Sequence, residues 1–320
     1  MDILTHGMCG TALASPLFIT QPEAAIAMIA GATLPDLDVY GRVFGKNGFF
    51  RWHRTITHSI VGTLIFSTIV FLSIAIFKGN NPWPLAAWCS LAFGVGMISH
   101  ILLDYTNSYP IGIFWPKLKN RYCNHSIFFI DIPYTIICVT AVLIMGMWIF
   151  VYPGHIEKIV FVCPCFVTVS VLYIGLKIYL HQKAIRQATR RFGDGPTTAS
   201  IYMIPDAIFP WWFYGAIAKH SGQTVRLFRM SLWKASCHNE EIVATLDQEY
   251  AELLETLEEY QLMKKLLPLY RVTSATVDGD GNLKLQCREL AIRHYWGTFG
   301  QLEVTFDPSR QTVLQKVFHV

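Results

Sequence analysis

Hydrophobic residues are concentrated in the first 180 positions of the chain, where long apolar runs alternate with short polar loops. Four of these runs have about 18–25 residues, the length that an α-helix needs to cross a hydrocarbon core of roughly 30 Å. The pattern therefore predicts four membrane-spanning helices, Ile60–Phe77, Pro84–Leu103, Pro133–Tyr152 and Ile156–Leu180.

Two shorter apolar segments precede the predicted spans. Ile3–Thr20 is rich in small residues, and Pro22–Pro35 has only about 14 residues, which suits an interfacial or re-entrant helix as well as a span. We expect the two segments to form a helical hairpin, and their length leaves open whether this hairpin crosses the membrane.

The second half of the chain has a different character. From His181 onward charged residues are frequent, and no apolar run is long enough to cross a bilayer. We therefore divide the chain into a transmembrane domain (1–180), a basic and then Gly-rich linker (181–198) and a second domain (199–320).

The second domain combines strand and helix patterns. Runs of aromatic and β-branched residues predict strands between Ser200 and Leu232, and apolar residues at helical spacing predict one helix from Asn239 to Leu267. Four further strands are predicted at 271–277, 283–290, 301–306 and 312–318. The predicted fold class is a membrane α-helical bundle of about six apolar segments, the first two short, followed by a small, mostly antiparallel α+β domain.

Composition and charge support a membrane protein. Hydrophobic residues make up 52% of the chain and charged residues 15%, which lies on the membrane side of the averages for soluble domains. The net charge of +4 comes from scattered basic residues, and this argues against a nucleic-acid partner. The cysteines lie mostly in apolar segments, so we expect buried thiols and no disulfide framework. The N-terminus lacks the basic region of a signal peptide and should stay attached.

The distribution of lysine and arginine predicts the orientation. Basic residues gather in the loops 42–54, 117–121 and 183–191, whereas the opposite loops offer little beyond Lys78 and Lys158. Short loops rich in Lys and Arg remain in the cytoplasm. The first set of loops, and with it the second domain, should therefore be cytoplasmic.

Histidine and aspartate residues form five groups at the edges of the apolar segments. Ionisable side chains at a bilayer cost roughly 2.5–3.5 kcal/mol each on insertion scales and are normally retained for a site or a pathway. All five groups fall on the predicted cytoplasmic side, and we interpret them as parts of one metal site. They are Asp2 with His6, Asp36 with Asp38, His53 with His58, His100 with Asp104, and Asp131.

The spacing within two of these groups indicates how ligands would be presented. His100 and Asp104 are four residues apart and so share one helix face, although a helix-end ion pair has the same spacing. Asp36 and Asp38 follow Pro35, which disfavours a continuing helix, and an extended chain would aim both carboxylates in one direction. A solvated turn is the alternative for this second pair.

The third group contains two histidines five residues apart. This spacing corresponds to about 140° on a helix, so one face cannot present both rings. We expect His53 in the loop and His58 near the start of the next helix. Arg54 between them would bind a phosphate, or else anchor a lipid headgroup.

A ligand set of His and Asp without Cys suits zinc best, with manganese or iron as alternatives. An ion with open coordination positions lowers the pKa of water toward about 7, which makes hydrolysis of a phosphoester the natural reaction. We expect Asp36, His58, His100 and Asp104 to be the core ligands, and His6, His53 and Asp131 to complete or orient the set. The predicted catalytic residues are Asp38, Arg54 and Asp131, and Arg121 is a second candidate for the phosphate.

These motifs together resemble a known family, the bacterial membrane-bound metal-dependent hydrolases of the YdjM and YfhP type. The resemblance covers the first 135 residues and implies an inner-membrane protein with hydrolase activity and a divalent-metal site built from His6, Asp36, His53, His58, His100 and Asp104. It names no substrate, and a membrane lipid or lipid-linked phosphoester suits the site's depth. The matching motifs are Met1-Asp2-x-x-Thr5-His6, Leu34-Pro35-Asp36-x-Asp38, His53-Arg54-x-x-Thr57-His58-Ser59 and Ser99-His100-x-x-x-Asp104-x-x-Asn107-Ser108-Tyr109.

Two other functions fit parts of the pattern. A transporter of protons or metal ions would also use intramembrane His and Asp residues, but it would place polar groups through the whole membrane. A metal-stabilised scaffold would present the second domain to a partner and would unfold when the metal is removed.

Overall fold

The computed structural model describes residues 1–44, 53–117, 120–192, 199–219, 223–234, 236–267, 269–291 and 300–319. The chain forms two compact units, Met1–Ile178 and Tyr179–Val320. The first unit is built of helices, and the second contains two antiparallel sheets. The predicted fold class is therefore confirmed.

The first unit begins with three short helices whose starts follow from the sequence. Asp2 caps the first of them because its carboxylate accepts the backbone N–H of Thr5 at 3.0 Å. Pro22 stands at the first position of the third, where its missing N–H removes no helical hydrogen bond. The helices are α1 (Ile3–Leu13), α2 (Leu17–Thr20) and α3 (Pro22–Thr33), and a 3₁₀ helix, Leu34–Phe44, follows directly.

Four longer helical segments of the described chain are long and apolar enough to cross a membrane. Only 11% of the first of them is buried inside the protein, as expected where side chains face lipid. The four predicted spans are thus confirmed. The helices are α4 (Ile60–Phe77), α5 (Trp83–Tyr105), α6 (Ile132–Gly146) and α7 (Val162–Phe192), with a π-helical turn, Met147–Val151, after α6 and a 3₁₀ helix, Pro153–Phe161, before α7.

Glycines allow the helices that carry the polar groups to approach closely. A Cβ atom at Gly96 on α5 would lie 2.2 Å from the carbonyl oxygen of Met28 on α3, and one at Gly31 would lie 2.1 Å from that of Phe93. Gly10 has the same function between α1 and α3. Since larger residues would force the backbones apart, these glycines determine how near the three helices come to one another.

The second unit contains two four-stranded antiparallel sheets, each with its strands in sequential order. The end of α7 shares a core with the first sheet, in which Ala184 and Ala188 join Phe213 and Phe228. The first sheet consists of β1 (Ala199–Pro205), β2 (Trp212–Lys219), β3 (Thr224–Ser231) and β4 (Ser236–Ala244); then come α8 (Asp247–Leu254), α9 (Glu258–Leu266) and the second sheet of β5 (Tyr270–Val277), β6 (Leu283–Glu289), β7 (Leu302–Phe306) and β8 (Val313–Phe318).

Two sequence predictions need correction here. Residues 181–192 of the predicted linker continue α7 as a packed helix, because Ala184 and Ala188 give it an apolar face; the remainder, 193–198, lies outside the described residues. The single helix predicted from Asn239 to Leu267 is wrong, since its first part belongs to β4 and the rest forms α8 and α9. Ile242 and Val243 are β-branched, and pairing with β3 overrides their helical spacing.

Candidate metal centre

The centre begins at the last turns of α5, where His100 and Asp104 share one helix face. Nε2 of His100 lies 3.8 Å from Oδ2 of Asp104, and both side chains are fully buried. Nδ1 of His100 lies 2.8 Å from the carbonyl oxygen of Ala32 on α3. A carbonyl oxygen only accepts hydrogen bonds, so Nδ1 carries the hydrogen and Nε2 presents a lone pair.

Asp36 reaches the same place from the 3₁₀ helix that follows α3. Its Oδ1 lies 3.5 Å from Nε2 of His100 and 3.8 Å from Nε2 of His58. The extended conformation predicted for Asp36 and Asp38 is wrong, since both lie in that helix. With three residues per turn, residues two apart point in different directions, which separates the two carboxylates.

His58 lies just before α4 and is held through its Nδ1 atom. This atom is 3.0 Å from Oγ1 of Thr57 and 3.3 Å from Oδ2 of Asp38. Thr57 donates its own hydroxyl hydrogen to Asp38 at 2.8 Å, so its oxygen is free to accept. Both neighbours of Nδ1 are thus acceptors, so Nδ1 of His58 carries a hydrogen and Nε2 is directed into the group.

The Nε2 atoms of the two histidines converge. Nε2 of His58 and Nε2 of His100 are 3.1 Å apart, and Oδ2 of Asp104 is 3.4 Å from the former. Two imidazole nitrogens this close share either a proton or a cation. Burial and the nearby Asp104 carboxylate raise the pKa of Asp36 to about 6, the shift expected where negative charges crowd together.

His6 completes the group from α1. Its Nε2 lies 3.2 Å from Oδ1 of Asp104, and its ring stacks on that of His100 with centroids 3.6 Å apart. The amino group of Met1 also contacts Oδ1 of Asp104. This amino group was not among the predicted site groups.

The donor set fits a divalent cation. One ligand atom from each of His6, Asp36, His100 and Asp104 can be chosen so that all four lie within 4.8 Å of one another. Nδ1 of His6 and Oδ2 of Asp36 are buried and have no hydrogen-bond partner in the part of the chain that the structure describes. Buried polar atoms are normally satisfied, and a coordinated ion would satisfy the carboxylate oxygen.

Asp38 and His53 lie beside this group. Oδ1 of Asp38 is 2.5 Å from Nδ1 of His53, while its Oδ2 accepts the backbone N–H of Arg54 at 2.8 Å. Burial alone would raise the pKa of Asp38, but hydrogen bonds from His53 and His58 outweigh it and hold the pKa well below the usual range. Through these contacts Asp38 holds the loop of residues 53–58 in place.

Arg54 extends from this loop to the ligand group. Its Nη2 lies 3.2 Å from Oδ2 of Asp104, and its Nη1 donates to the carbonyl oxygen of Tyr109 at 3.1 Å. The guanidinium lies over the Tyr109 ring at 5.1 Å and near that of Phe129 at 5.8 Å. The backbone of Arg54 has a φ of 59°, a strained value for a residue with a side chain, and Asp38 helps to hold it there. Arg121 is nearby and donates to the carbonyl oxygen of His53 at 3.2 Å.

Asp131 belongs to a different buried group between α6 and α7. Its Oδ1 accepts the backbone N–H of Tyr134 at 3.0 Å and the hydroxyl of Tyr173 at 2.5 Å. Its Oδ2 lies 3.0 Å from Nζ of Lys177, and both side chains are 1% exposed. Lys177 was not among the predicted site residues, because it falls in an apolar run. The structure thus brings together His6, Asp36, His58, His100 and Asp104 and sets Asp131 in an ion pair.

Comparisons with known proteins agree with this architecture. A family model described as YdjM inner membrane protein matches residues 1–184, more than half of the 320-residue chain. The uncharacterized protein YfhP of Bacillus subtilis (strain 168) is 30% identical over 119 residues, 34% of this chain and 35% of that protein, so the match spans about a third of either length. No solved structure matches. The chain belongs to the YdjM inner membrane protein family, as the motifs predicted.

Proposed function

We propose that this protein is a membrane-bound metal-dependent hydrolase that cleaves a phosphoester at the membrane surface. One observation carries the proposal: the Nε2 atoms of His58 and His100, 3.1 Å apart, converge with the carboxylates of Asp36 and Asp104 in a buried site. Imidazole nitrogens and carboxylate oxygens that converge in a buried site form a donor set typical of a divalent transition metal.

The ligand set supports zinc, with manganese or iron as alternatives, because it offers imidazole and carboxylate without thiolate. His58, His100, Asp36 and Asp104 would hold the ion, and His6 would complete the set. When bound, such an ion polarises a phosphoryl oxygen and makes water a better nucleophile. His53 and Asp38 would orient the ligands from behind.

Arg54 would bind the phosphate of the substrate. Its guanidinium is buried, carries a permanent charge and lies 3.2 Å from a ligand carboxylate, so a phosphate bound there would also meet the ion. Guanidinium groups bind phosphate through two parallel hydrogen bonds. The rings of Tyr109 and Phe129 restrict its orientation.

The location favours a lipid or lipid-linked phosphoester. His58 stands at the start of one candidate span and Asp104 near the end of the next, where lipid headgroups meet water. The basic loops on this side favour a site at the cytoplasmic face of the membrane. The second unit would then also lie in the cytoplasm.

The metal content of the detergent-purified protein tests the proposal first. We expect at least one tightly bound transition ion per chain in the wild type and its loss in both His58→Ala and Asp104→Ala. His155→Ala is the matched control, because His155 is 57% exposed and lies 3.6 Å from an exposed partner, Glu157. A metal-free wild type that takes up neither zinc, manganese nor iron would rule out the metal centre.

Turnover is tested with the loaded protein in mixed micelles. The substrates are p-nitrophenyl phosphate, bis(p-nitrophenyl) phosphate and short-chain phosphatidic acid, which separate monoester, diester and lipid phosphate. We expect hydrolysis of at least one of them that is lost together with the metal. Metal binding without hydrolysis of any phosphoester would instead support the scaffold.

A further inference from the structure

Four large apolar side chains are exposed together at one end of the first sheet of the second unit. Ile208, Phe209 and Trp211 lie between β1 and β2, and Trp233 lies between β3 and β4; their exposed fractions are 56%, 44%, 38% and 80%. The rings of Phe209 and Trp211 are 5.9 Å apart, and those of Trp211 and Trp233 are 6.1 Å apart. We call these four residues the aromatic patch. Contiguous exposed apolar surface of this kind marks an interaction site.

The loop that carries most of the patch is firmly held. Oδ1 of Asp206 accepts the backbone N–H groups of Ile208 at 2.9 Å and Phe209 at 3.1 Å. Its Oδ2 pairs with Nη2 of Arg229 at 3.0 Å, and the Arg229 guanidinium lies over the Trp212 ring at 4.4 Å. The apolar side chains are therefore presented outward by a fixed loop.

The composition of the patch differs from that of other exposed apolar positions in the unit. Among the described residues after α7, every exposed Phe or Trp side chain belongs to the patch. The remaining exposed large hydrophobic residues there are aliphatic, namely Ile242, Val277, Val313 and Leu314. Phe and Trp are the side chains that proteins place at the boundary between lipid headgroups and acyl chains.

The chain keeps this sheet close to the bilayer. Helix α7 lies in a candidate span and continues to Phe192, and only six residues, 193–198, separate it from β1. Nε2 of His181, one residue beyond the predicted end of the span at Leu180, lies 2.9 Å from the carbonyl oxygen of Met203 near the end of β1. The end of the sheet that carries the patch therefore lies beside the part of α7 that leaves the membrane.

The charge at the rim of the patch also suits a membrane. Lys234 is exposed and follows Trp233 directly, and Arg229 beside the loop is 31% exposed. Basic residues next to an interfacial apolar surface attract anionic lipids. We propose that the aromatic patch inserts into the headgroup region of the bilayer and prefers anionic phospholipid. This proposal is independent of the metal centre.

Photo-crosslinking in the full-length protein tests the proposal. Benzoylphenylalanine is placed at position 233, or at position 314 as the control, since Leu314 is an exposed apolar residue of the second sheet. Each protein is reconstituted into vesicles of phosphatidylethanolamine and phosphatidylglycerol, irradiated and analysed by mass spectrometry. We expect lipid adducts from position 233 and only background from position 314.

Two results would overturn the proposal. Equal lipid adducts at the two positions would mean that lipid contact is unspecific. Crosslinks from position 233 to protein alone, either to the chain's own helices or to a second copy, would make the patch a protein interface. The lipid preference is tested with Lys234→Glu, which should lower the adduct yield in phosphatidylglycerol vesicles and leave it unchanged in neutral phosphatidylcholine; an unchanged yield in both would exclude the preference for anionic lipid.

Discussion

Asp38 determines which nitrogen of His58 faces the ligand group. Its carboxylate and the hydroxyl of Thr57 both accept on the Nδ1 side, so Nε2 is directed toward Asp36 and Asp104. The same carboxylate fixes the loop through the backbone N–H of Arg54. A residue outside the candidate ligand set can in this way control the geometry of a residue within it.

The substitution Asp38→Asn should therefore weaken metal binding without abolishing it. Loss of an orienting carboxylate typically lowers metal affinity by about 10–100-fold. The measurement is a competition titration with a chromophoric chelator, in which Asp36→Asn should lose far more affinity. The exposed Asp280→Asn in the hairpin after β5 is the control. An affinity equal to wild type would show that Asp38 does not orient His58.

Arg54 permits a separate test of substrate binding. Lys keeps the charge but cannot form two parallel hydrogen bonds to phosphate. Arg54→Lys should retain the metal and raise KM, and loss of one charged hydrogen bond, worth about 1.5–3 kcal/mol, corresponds to roughly 10–100-fold. The measurement is steady-state kinetics with the phosphoester that the wild type hydrolyses fastest. An unchanged KM would mean that another group binds the phosphate.

The buried carboxyl of Glu289 in β6 should make the stability of the second unit depend on pH. It is 3% exposed and its carboxyl accepts the backbone N–H groups of Leu269 and Ala291, but burial outweighs these bonds and raises its pKa to about 8. Between its ordinary pKa of 4.5 and 8 the folded state holds a proton that the unfolded state has released. Stability should thus fall as pH rises through this range.

Hydrogen exchange of peptides from β5 and β6, corrected for the intrinsic pH effect, measures this dependence in the full-length protein. The wild type should lose protection between pH 5 and pH 8, and Glu289→Gln should show a smaller change. The same slope in both proteins would assign the pH dependence to other groups.

At the scale of elements, the site depends on how closely α3 and α5 pack. The carbonyl oxygen of Ala32 can orient His100 only because Gly31 and Gly96 let the two backbones meet. Ridges of larger side chains would keep the helices about 8–10 Å apart, as in ordinary packing.

Gly96→Ala should therefore damage the metal centre although it lies outside the ligand set. The added methyl would meet the Met28 carbonyl oxygen at 2.2 Å, so α5 must shift, at a cost of about 1–3 kcal/mol. We expect lower metal content and a lower Tm. Gly175→Ala on α7 is the matched control, because its Cβ would have no neighbour within 4 Å. A Gly96→Ala protein with full metal content would contradict this reasoning.

The sequence was most informative about elements with a strong pattern. The four spans follow from length and apolarity, and the strands of the second sheet follow from short runs with apolar residues at alternate positions between turns. The helix predicted at Asn239–Leu267 failed because its first part is equally compatible with an edge strand, and only pairing with β3 decides between the two. Asp36 and Asp38 were assigned the wrong backbone because Pro35 is as acceptable in the first turn of a 3₁₀ helix as in an extended chain.

For the candidate site, the sequence identified residue types better than roles. Clustering at helix ends pointed to His6, Asp36, His58, His100 and Asp104, which the structure brings together. Periodicity does not show that Asp36 lies on the Nε2 side of the histidines, whereas Asp38 lies on the Nδ1 side of His58. The same limit applies to Asp131, whose partner Lys177 is distant in sequence and could be found only from the packing of α6 against α7.

At the scale of the whole molecule, metal should stabilise the two units unequally. All the ligand residues belong to Met1–Ile178, so binding energy stabilises that unit. At a free metal concentration 100 times Kd the gain is about 2.7 kcal/mol. Chelation followed by hydrogen exchange should expose α1, α3 and the 3₁₀ helix after it, while the strands β5–β8 keep their protection. Equal loss in both units would indicate that metal stabilises the protein as a single cooperative unit.

The ion pair of Asp131 and Lys177 makes membrane insertion of α7 depend on that of α6. A lysine in an apolar helix is disfavoured by roughly 2.5–3.5 kcal/mol at the translocon. Asp131, at the start of α6, is synthesised before Lys177 in α7. The lysine can therefore pair with the carboxylate only if α6 is already inserted. Insertion of the last helix should therefore depend on the one before it, and an Asp131→Ala chain should release α7 from the membrane more often during biogenesis.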